Sequence, residues 1–362
     1  MADQICIIVQ FFNYIIRVRV ITGGKVSNHA MKTNLIARPL NEKHVNIVGN
    51  LNIDLIIRNV PGLPKWGQEI LGDNYVLVSS GQSAYTAFAL SKFGVPTSLV
   101  GNVGSDIYGE KITQDLAASG LDISSVEVVQ NGNTGITVAI VRKDGERAFV
   151  SDPSSLSKFD RELVERHLSK ILSASIVCLV GIFFLPSFSL DDASYLFQSV
   201  RNAGKLSLLD TGWDPDNWGK QTVKDLRGSL QFVDFFIPNM DEARAITGID
   251  DPHTAGLALL SDGCGTVVIK LGGEGSLLVS NSGEIHIPAH KVNVYDAVGA
   301  GDVFNAGFIF GTLQDWPLEA RMVFGTATSA SYISKPTDRF PGIHEVISLA
   351  NQHKEFHFEK KE

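Results

Sequence analysis

Residues suited to holding an anion and accepting a proton occur together near the C-terminal end of the chain. The segment Asp296–Gly307 reads DAVGAGDVFNAG, and its glycines permit a tight backbone turn ahead of a predicted helix. The amides of Gly299, Ala300 and Gly301 would point together at the start of that helix, where free N–H groups and the helix dipole favour an anion. Asp302 would lie beside this anion hole as a proton acceptor. The pair suits transfer of a phosphoryl group to a hydroxyl.

A second polar pair follows an apolar run, in the segment Pro238–Glu242. Asn239 and Glu242 are three residues apart, and side chains at that spacing share one face of the first turn of a helix. Two compatible interpretations are open. The pair forms a capping box, in which each side chain bonds the backbone amide of the other residue. In the second interpretation, the pair orders water around Mg²⁺, an ion that usually keeps several of its waters.

A glycine-rich turn lies between two apolar runs at Lys270–Gly275. By composition alone it is a tight turn and indicates no chemistry. The chain has no G-x-x-x-x-G-K-[ST] sequence, which excludes a P-loop enzyme. No predicted strand is followed by G-x-G-x-x-G, which argues against a dehydrogenase.

The bulk composition limits the classes of protein to which the chain can belong. Its 362 residues are 44% hydrophobic and 19% charged, which indicates a folded core in one large α/β domain or two smaller ones. The formal charge of −8 argues against a broad nucleic-acid-binding surface. Cys6, Cys178 and Cys264 are far apart and lack C-x-x-C spacing, which is typical of reduced thiols. We therefore expect a cytoplasmic protein.

The first forty residues differ from the rest of the chain. The apolar run Cys6–Ile16 is shorter than the roughly 20 residues that span a membrane, and no positive charge precedes it as in a signal peptide. We expect residues 1–40 to be a non-core extension, with Met31 as a natural start. We also expect residues 41–355 to form one domain and residues 356–362 to be a charged tail.

From residue 45 onward apolar strands alternate with amphipathic helices, which predicts a mainly parallel sheet covered on both faces. The predicted strands are Val45–Val48, Ser98–Gly101, Ser175–Val180, Leu206–Leu209, Phe235–Pro238 and Thr266–Lys270. The predicted helices are Ala84–Phe93, Gly109–Ala118, Arg161–Ser169, Ala193–Ala203, Asp302–Leu313, Leu318–Ile333 and Ile343–His353.

Two segments, at about 54–80 and 132–152, break this alternation. Both are rich in β-formers, and the second contains the hairpin-turn sequence Lys143–Gly145. They predict a small β-sheet beside the main layer. It would be either a pair of surface hairpins without a function or a lid.

The motifs above resemble those of the PfkB (ribokinase-like) family of carbohydrate kinases. The family's C-terminal sequence D-T-x-G-A-G-D-x-F-x-A-G is matched by Asp296–Gly307 except that Ala297 replaces the Thr. The similarity covers roughly residues 45–350. It implies a three-layer α/β sandwich with a mainly parallel central sheet. It also implies that the small β-sheet is a lid over the sugar, which excludes water from the phosphoryl donor.

The resemblance also implies which residues bind the acceptor. Gly49–Asp54 is similar to the family's first-strand motif, whose Asn and Asp contact sugar hydroxyls, and Ser80–Tyr85 occupies the place of G-G-x-x-x-N. The implied acceptor-binding residues are Asn52, Asp54, Gly81, Gln82 and Tyr85. A carboxylate accepts two hydroxyl hydrogen bonds well, although Asp54 could also be an ordinary turn residue. Tyr85 replaces the Asn that normally touches the substrate, and this leaves the identity of the sugar open.

On the donor side the resemblance implies ATP and Mg²⁺. Lys270–Gly275 is similar to the family's L-G-x-x-G turn, in which Gly272 and Gly275 let the backbone approach the nucleotide and Lys270 adds charge near the phosphates. Asn239 and Glu242 match the family's N-x-x-E motif, which organises the metal through water.

Many family members bind a monovalent cation near this signature, using also the region of the C-terminal helices. Ser334–Pro341 departs from the R-x-G-A pattern usual there, which leaves a potassium requirement open. Dimerisation through the lid is a further family-level expectation. Neither nucleic acid nor a membrane is an expected partner.

These observations predict an ATP-dependent kinase that phosphorylates a hydroxymethyl group of a small sugar or sugar acid, with Asp302 as general base. Two alternatives are open. A nucleoside kinase of the same family would use Tyr85 to stack on the base. A catalytically silent binding protein would explain Tyr85 and the absence of the family's Arg in Asp210–Pro215, although the intact Gly299–Asp302 sequence argues against it.

Overall fold

Strands and helices alternate along most of the chain. The computed structural model describes residues 6–12, 15–22, 25–30, 32–40, 43–144 and 146–360, and it describes side chains from residue 32 onward. The described strands are β1 Cys6–Phe12, β2 Ile15–Thr22, β3 Lys25–Ala30, β4 Thr33–Ala37, β5 Val45–Gly49, β6 Asn52–Val60, β7 Asn74–Ser80, β8 Thr97–Gly104, β9 Asp122–Val129, β10 Ile136–Arg142, β11 Arg147–Asp152, β12 Ile176–Val180, β13 Leu206–Asp210, β14 Phe235–Phe236, β15 Thr266–Lys270, β16 Ser276–Ser280, β17 Gly283–Ile287 and β18 Phe356–Lys360. The described helices are α1 Gln82–Lys92, α2 Ile107–Ala118, α3 Arg161–Ser173, α4 Leu190–Asn202, α5 Lys220–Ser229, α6 Met240–Thr247, α7 Pro252–Ser261, α8 Ala300–Leu313, α9 Leu318–Ile333 and α10 Ile343–Ala350.

The central sheet has nine strands in the order β17-β16-β15-β14-β13-β12-β5-β8-β9. Its strands from β15 to β9 pair in parallel, and β16 and β17 at one edge pair antiparallel. Every residue of β5 and β12 is buried, because both faces of a parallel sheet are covered. All the predicted strands lie in this sheet.

Helices cover both faces of the sheet and form the expected three-layer sandwich. One core cluster joins α1, α2, α8, α9 and α10 to the first face, and the other joins α3, α4, α5, α6 and α7 to the second. Neighbouring residues of one strand divide between the clusters, with Ile47 in the first and Val48 in the second, because strand side chains alternate in direction. Among the helices of the described ranges, none is both long and apolar enough to cross a membrane.

A separate four-stranded sheet, in the order β11-β10-β6-β7, is formed by the two segments that break the alternation. β6 is parallel to β10 and antiparallel to β7. Ile56 and Ala139 are buried, whereas Tyr75, Phe149 and Val150 are exposed. The predicted hairpin is confirmed by the antiparallel pairing of β10 with β11, although Gly145 of its turn lies outside the described residues.

The predicted boundaries at the two ends of the domain need a correction. β4 pairs in parallel with β18, and this pair packs onto the core through Leu35, Ala37, Phe356 and Phe358, all of them buried. Residues 33–37 and 356–360 therefore belong to the folded core rather than to an extension and a charged tail. The strands β1, β2 and β3 form an antiparallel sheet of their own. Residues 1–5 of the predicted extension lie outside the described residues.

Candidate active site

The candidate residues lie where strands of the central sheet end and helices begin. β13 ends at Asp210, β15 ends at Lys270, and Asn239 follows β14 as the N-cap residue of α6. A backbone bridge joins Asn239 to Lys270. Asp302 lies in the first turn of α8. Parallel sheets bind ligands at the carboxyl ends of their strands, so this edge of the sheet is the candidate site.

The turn before α8 has the tight geometry that the glycines predicted. Gly299 is the N-cap residue and has a φ of 80°, and a Cβ there would lie 2.8 Å from the ring of Tyr85. The amide of Ala300 donates within the turn at 3.2 Å, whereas those of Gly299, Gly301 and Asp302 have no acceptor among the described residues. The free amides are therefore these three rather than the predicted set of Gly299, Ala300 and Gly301.

Asp302 is almost fully buried at the start of α8. Burial raises the pKa of its carboxyl group well above the usual range, and the charge of Asp210 raises it further. Lys270 and a hydrogen bond from Gln82 act in the opposite direction. Thr86 Oγ1 on α1 donates to the backbone carbonyl of Asp302 at 3.3 Å. The site therefore holds a basic carboxylate at a fixed position.

Lys270 connects this turn to two buried residues that the sequence did not identify as site residues, Asp210 and Asn305. Lys270 Nζ donates to Asp210 Oδ2 at 2.5 Å, and Asn305 Nδ2 donates to the same oxygen at 2.6 Å. A Cβ on Gly301 would lie 3.2 Å from Lys270 Nζ, so the ammonium group lies against the start of α8. A signal for both residues was present, because Asp210 ends an apolar run and Asn305 lies one helical turn after Asp302.

The charge of Lys270 is maintained by its neighbours. Burial disfavours the charged form, but the carboxyl groups of Asp210, Glu242 and Asp302 outweigh this effect, and the pKa of Lys270 is raised. The ammonium group thus bonds Asp210 directly, and the charges of Glu242 and Asp302 stabilise it further.

The capping box of Asn239 and Glu242 is confirmed. Glu242 Oε2 accepts from Asn239 N at 2.8 Å, and Asn239 Oδ1 accepts from Glu242 N at 2.9 Å. Burial, and then the charge of Asp210, raise the pKa of Glu242 to about 7, while Lys270 opposes them. The capping box alone does not explain why this carboxyl group lies near the charges of Asp210 and Lys270. The role of Glu242 in organising a metal ion stays a prediction.

The surroundings of Lys270 fit a divalent cation bound largely through water. Three carboxyl groups lie around one ammonium group there, and Asp210 Oδ1 is buried without a hydrogen-bond partner. Within the described ranges, no three His, Cys, Asp or Glu side chains converge closely enough to ligate one ion. A cation would therefore take most of its ligands from water and phosphate oxygens, as Mg²⁺ commonly does.

Asn52 and Asp54 lie together on β6, in a buried chain of hydrogen bonds. Asn50 Nδ2 donates to Asn52 Oδ1 at 2.9 Å, and Asn52 Nδ2 donates to Asp54 Oδ1 and to Ser80 Oγ, each at 3.0 Å. Burial raises the pKa of Asp54 to about 6, against the effect of hydrogen bonds from Ser80, Tyr85 and Asn52. This carboxyl group is oriented by its neighbours and is not part of an exposed turn.

Tyr85 has a supporting position and no open ring face. Only 6% of the residue is exposed, and its ring centroid lies 6.4 Å from that of Tyr332 and 6.1 Å from that of Phe340. Its Oη donates to Asp54 Oδ2 at 3.3 Å. The ring has no room to stack on a nucleobase. Tyr85 instead connects the carboxyl group of Asp54 to the turn at Gly299.

Gly81 and Gln82 begin α1 between the acceptor strand and Asp302. Gly81 has a φ of +98°, and a Cβ there would lie 2.3 Å from the backbone oxygen of Asn50, so the position requires glycine. Gln82 lowers the pKa of Asp302, and its Oε1 would be 2.4 Å from a Cβ on Gly212, just after β13. Gln82 therefore lies between Asp302 and the residues that follow β13.

The two glycines of the turn after β15 differ in their surroundings. A Cβ on Gly275 would lie 2.0 Å from the backbone oxygen of Ile287 at a φ of +102°, whereas a Cβ on Gly272 would have nothing within 4 Å. Packing alone thus requires Gly275. Gly272 is exposed and has no such packing requirement.

Two arginines that the sequence did not identify hold the loop ahead of α8. Arg58 Nη2, on β6, lies 2.5 Å from Asp296 Oδ2, and Arg339 Nη1 lies 2.9 Å from the same oxygen. Asp296 Oδ1 accepts from the amide of Val298 at 2.8 Å. Neither arginine is near Asp296 in the sequence, so no local motif could have identified them.

The fold and the site define a class of α/β protein with a tight glycine turn beside a buried carboxyl group at the carboxyl ends of its strands. The family model described as pfkB family carbohydrate kinase matches residues 42–344, which is most of the chain. The chain belongs to this family and is a carbohydrate kinase.

Individual relatives agree with the family. A ribokinase of Haemophilus influenzae is 27% identical over 299 residues, which is 81% of this chain and 93% of the relative. A 2-dehydro-3-deoxygluconokinase of Bacillus subtilis is 28% identical and matches 72% of this chain and 82% of its own. The solved structure of Arabidopsis thaliana ribokinase with ribose and ATP has a TM-score of 0.72 at 23% identity, covering 85% of this chain and 98% of that one. The chain is therefore a sugar or sugar-acid kinase with the ribokinase-like fold.

Proposed function

We propose that the chain transfers the γ-phosphoryl group of ATP to a hydroxymethyl group of a small sugar or sugar acid, with Asp302 as general base. One observation carries the proposal: the buried carboxyl group of Asp302 and the free amides of Gly299, Gly301 and Asp302 share one turn at the start of α8. The carboxylate serves the attacking hydroxyl, and the amides serve the phosphoryl oxygens.

In this reaction Asp302 accepts the proton of the acceptor hydroxyl as the hydroxyl oxygen bonds to the γ-phosphorus. The bond from that phosphorus to the bridging oxygen breaks, and ADP leaves with the electron pair. Thr86 Oγ1 holds the backbone carbonyl of Asp302, and burial makes the carboxylate a stronger base than an exposed one. Lys270, held by Asp210 and Asn305, keeps a positive charge beside the phosphoryl group.

For the phosphoryl donor we infer ATP with Mg²⁺. The Arabidopsis thaliana neighbour was solved with ATP, and an E. coli protein assigned as a ribokinase II, with a TM-score of 0.72, was solved with ATP and Mg²⁺. When bound, Mg²⁺ would neutralise phosphate charge. Asn239 and Glu242 would hold its water, and the support for this is that Asp210 Oδ1 beside them is buried without a hydrogen-bond partner. Lys270 and the open backbone of Gly272 are the candidates for phosphate contact.

The acceptor is bound, in this proposal, by Asp54 with the neighbouring Asn52, Gly81 and Gln82. A carboxylate and an amide suit vicinal hydroxyls, and the curated relatives include kinases of ribose, deoxyribose and a sugar acid. The nucleoside alternative depended on stacking by Tyr85, which is buried. The packing of Tyr85 therefore favours a sugar or sugar acid.

The test is ADP formation from ATP and Mg²⁺ with a panel of pentoses, hexoses, sugar acids and nucleosides. Asp302→Asn should lower kcat by about 10² to 10⁴ and retain ATP binding in a thermal-shift measurement, because the amide keeps the shape of the side chain.

Asp251→Asn is the matched control. Asp251 is also an Asp at a helix start, where its side chain caps α7, and asparagine caps a helix about as well. Activity of this variant should equal that of the wild type. Near-normal turnover by Asp302→Asn would contradict the assignment of the base. ATP binding without turnover on any acceptor would favour the silent binding protein.

A further inference from the structure

A guanidinium group holds the loop that leads into α8. Arg339 follows α9, and its side chain is only 14% exposed. Its Nη1 donates to Asp296 Oδ2 at 2.9 Å, and its Nη2 donates to Asp296 O at 2.6 Å and to Val298 O at 3.3 Å. The ring centroid of Tyr332 lies 4.0 Å from the guanidinium carbon, a cation–π contact. Three oxygens and an aromatic face thus surround one positive charge.

A carboxylate and two backbone carbonyls that converge in this way are also ligands suited to a monovalent cation, since carbonyl oxygens can replace the water of K⁺. In this chain those oxygens already accept hydrogen bonds from Arg339. Asp296 is bonded in addition by Arg58 and by the amide of Val298. A potassium ion would have to displace one guanidinium and approach a second. The residues present therefore do not fit potassium at this place.

We infer that Arg339 is a built-in cation for the anion-hole turn, so that the kinase needs no added monovalent cation. It acts as a positioning residue, because it bonds the carbonyl of Val298, the residue before Gly299, and touches no reacting atom. A guanidinium group stays charged throughout the physiological pH range and cannot dissociate from the chain. The part of this inference that concerns turnover rests on the function proposed above.

The first test compares salts on the wild-type enzyme. Turnover should be the same in chlorides of potassium, sodium and tetramethylammonium at one ionic strength, which keeps the screening constant. Activation by potassium relative to tetramethylammonium would overturn the inference.

The second test removes the guanidinium group from the three oxygens with Arg339→Ala, which frees the two carbonyls and leaves Arg58 on Asp296 Oδ2. The loop then loses the group that fixes it, and kcat should fall by about 10²-fold, the scale on which a misplaced catalytic group acts. Potassium or dilute guanidinium chloride should restore part of the turnover, whereas the bulky tetramethylammonium ion should not. An equal loss in every salt would mean that Arg339 only packs the loop, and would overturn the inference.

Arg58→Ala is the matched control for this rescue. Arg58 bonds the same carboxylate oxygen of Asp296 as Arg339 does, but it donates to neither of the two carbonyls. Its removal should lower turnover without any rescue by potassium or guanidinium. Rescue of both variants alike would show that the cations act on Asp296 in general, and would contradict a site specific to Arg339.

Thermal unfolding without ATP or acceptor separates this inference from the proposed function. The midpoint of Arg339→Ala should rise in potassium relative to tetramethylammonium, and that of the wild type should not. If no acceptor is phosphorylated, the proposed function fails while these curves still decide the role of Arg339. If Arg339→Ala does not fold, Arg339→Lys keeps one positive charge and should show no response to potassium; a response would overturn the inference.

Discussion

Alanine at position 299 tests whether the turn before α8 is as closely packed as the structure shows. Gly299 has a φ of 80°, and an L-residue in that left-handed region costs about 1–2 kcal/mol. The new Cβ would lie 2.8 Å from the ring of Tyr85 and 3.0 Å from Tyr332 Oη, and an extra methyl group in a packed core costs about 1–3 kcal/mol. Gly299→Ala should therefore lower the free energy of unfolding by about 2–5 kcal/mol.

Gly94 offers a matched control in the same chain. It has a φ of +72°, and a Cβ there would have nothing within 4 Å. Gly94→Ala should lose only the backbone contribution of about 1–2 kcal/mol. In denaturant unfolding, the difference between the two variants should be about 1–3 kcal/mol and measures the packing of the turn. Equal losses would refute the contact of Tyr85 and Tyr332 with the turn.

The same pair of variants also locates the effect on function. If Tyr85 moves to admit the methyl group, its bond to Asp54 at 3.3 Å is lost. The KM for the acceptor should then rise in Gly299→Ala and stay unchanged in Gly94→Ala. An unchanged KM for the acceptor in both variants would show that the packing of the turn does not affect acceptor binding.

Two further predictions concern Asp54 and the N-terminal segment. Burial raises the pKa of Asp54 from 3.8 to about 6, so the folded state holds this proton more tightly and loses stability as the pH rises through that interval. At a pH above this interval, the free energy of unfolding of Asp54→Asn should therefore exceed that of the wild type by up to about 3 kcal/mol. Below the interval no gain should appear, and a gain that is independent of pH would contradict this. Deleting residues 1–30 should leave thermal unfolding and turnover unchanged. Deleting residues 1–40 should lower the free energy of unfolding by at least the roughly 1.5–3 kcal/mol of burying Leu35. If the two truncated proteins behave alike, the folded core does not begin between residues 31 and 40.

Most of the fold could be predicted from the sequence because its signals are local. The mostly apolar runs of β5 and β12 are long enough for a strand and too short for a helix, and their burial follows from the helices that cover the sheet. The start of α8 was identifiable for a similar reason, because glycines followed by an acidic residue and an apolar stretch indicate a turn and a helix.

The features that were missed depend on contacts between distant segments. Arg58 and Asp296 are 238 positions apart, and Arg339 and Asp296 are 43 apart, so their pairing is decided by how the four-stranded sheet and the last helices pack. The burial of Tyr85 has the same origin, since Gly299 and Phe340 come from other parts of the chain. The pairing of β4 with β18 joins the two ends and has no local signal in either strand.

The start of α8 is held from three directions, and this accounts for its suitability as a catalytic element. Lys270 and its partners contact one side, Arg339 and Arg58 fix the loop at Asp296 on another, and α1 contacts the turn through Tyr85 and Thr86. Dipoles that are already in place stabilise developing charge without a cost of reorganisation. Because β6 carries both Asp54 and Arg58, the strand proposed to bind the acceptor and the loop ahead of α8 form one connected unit.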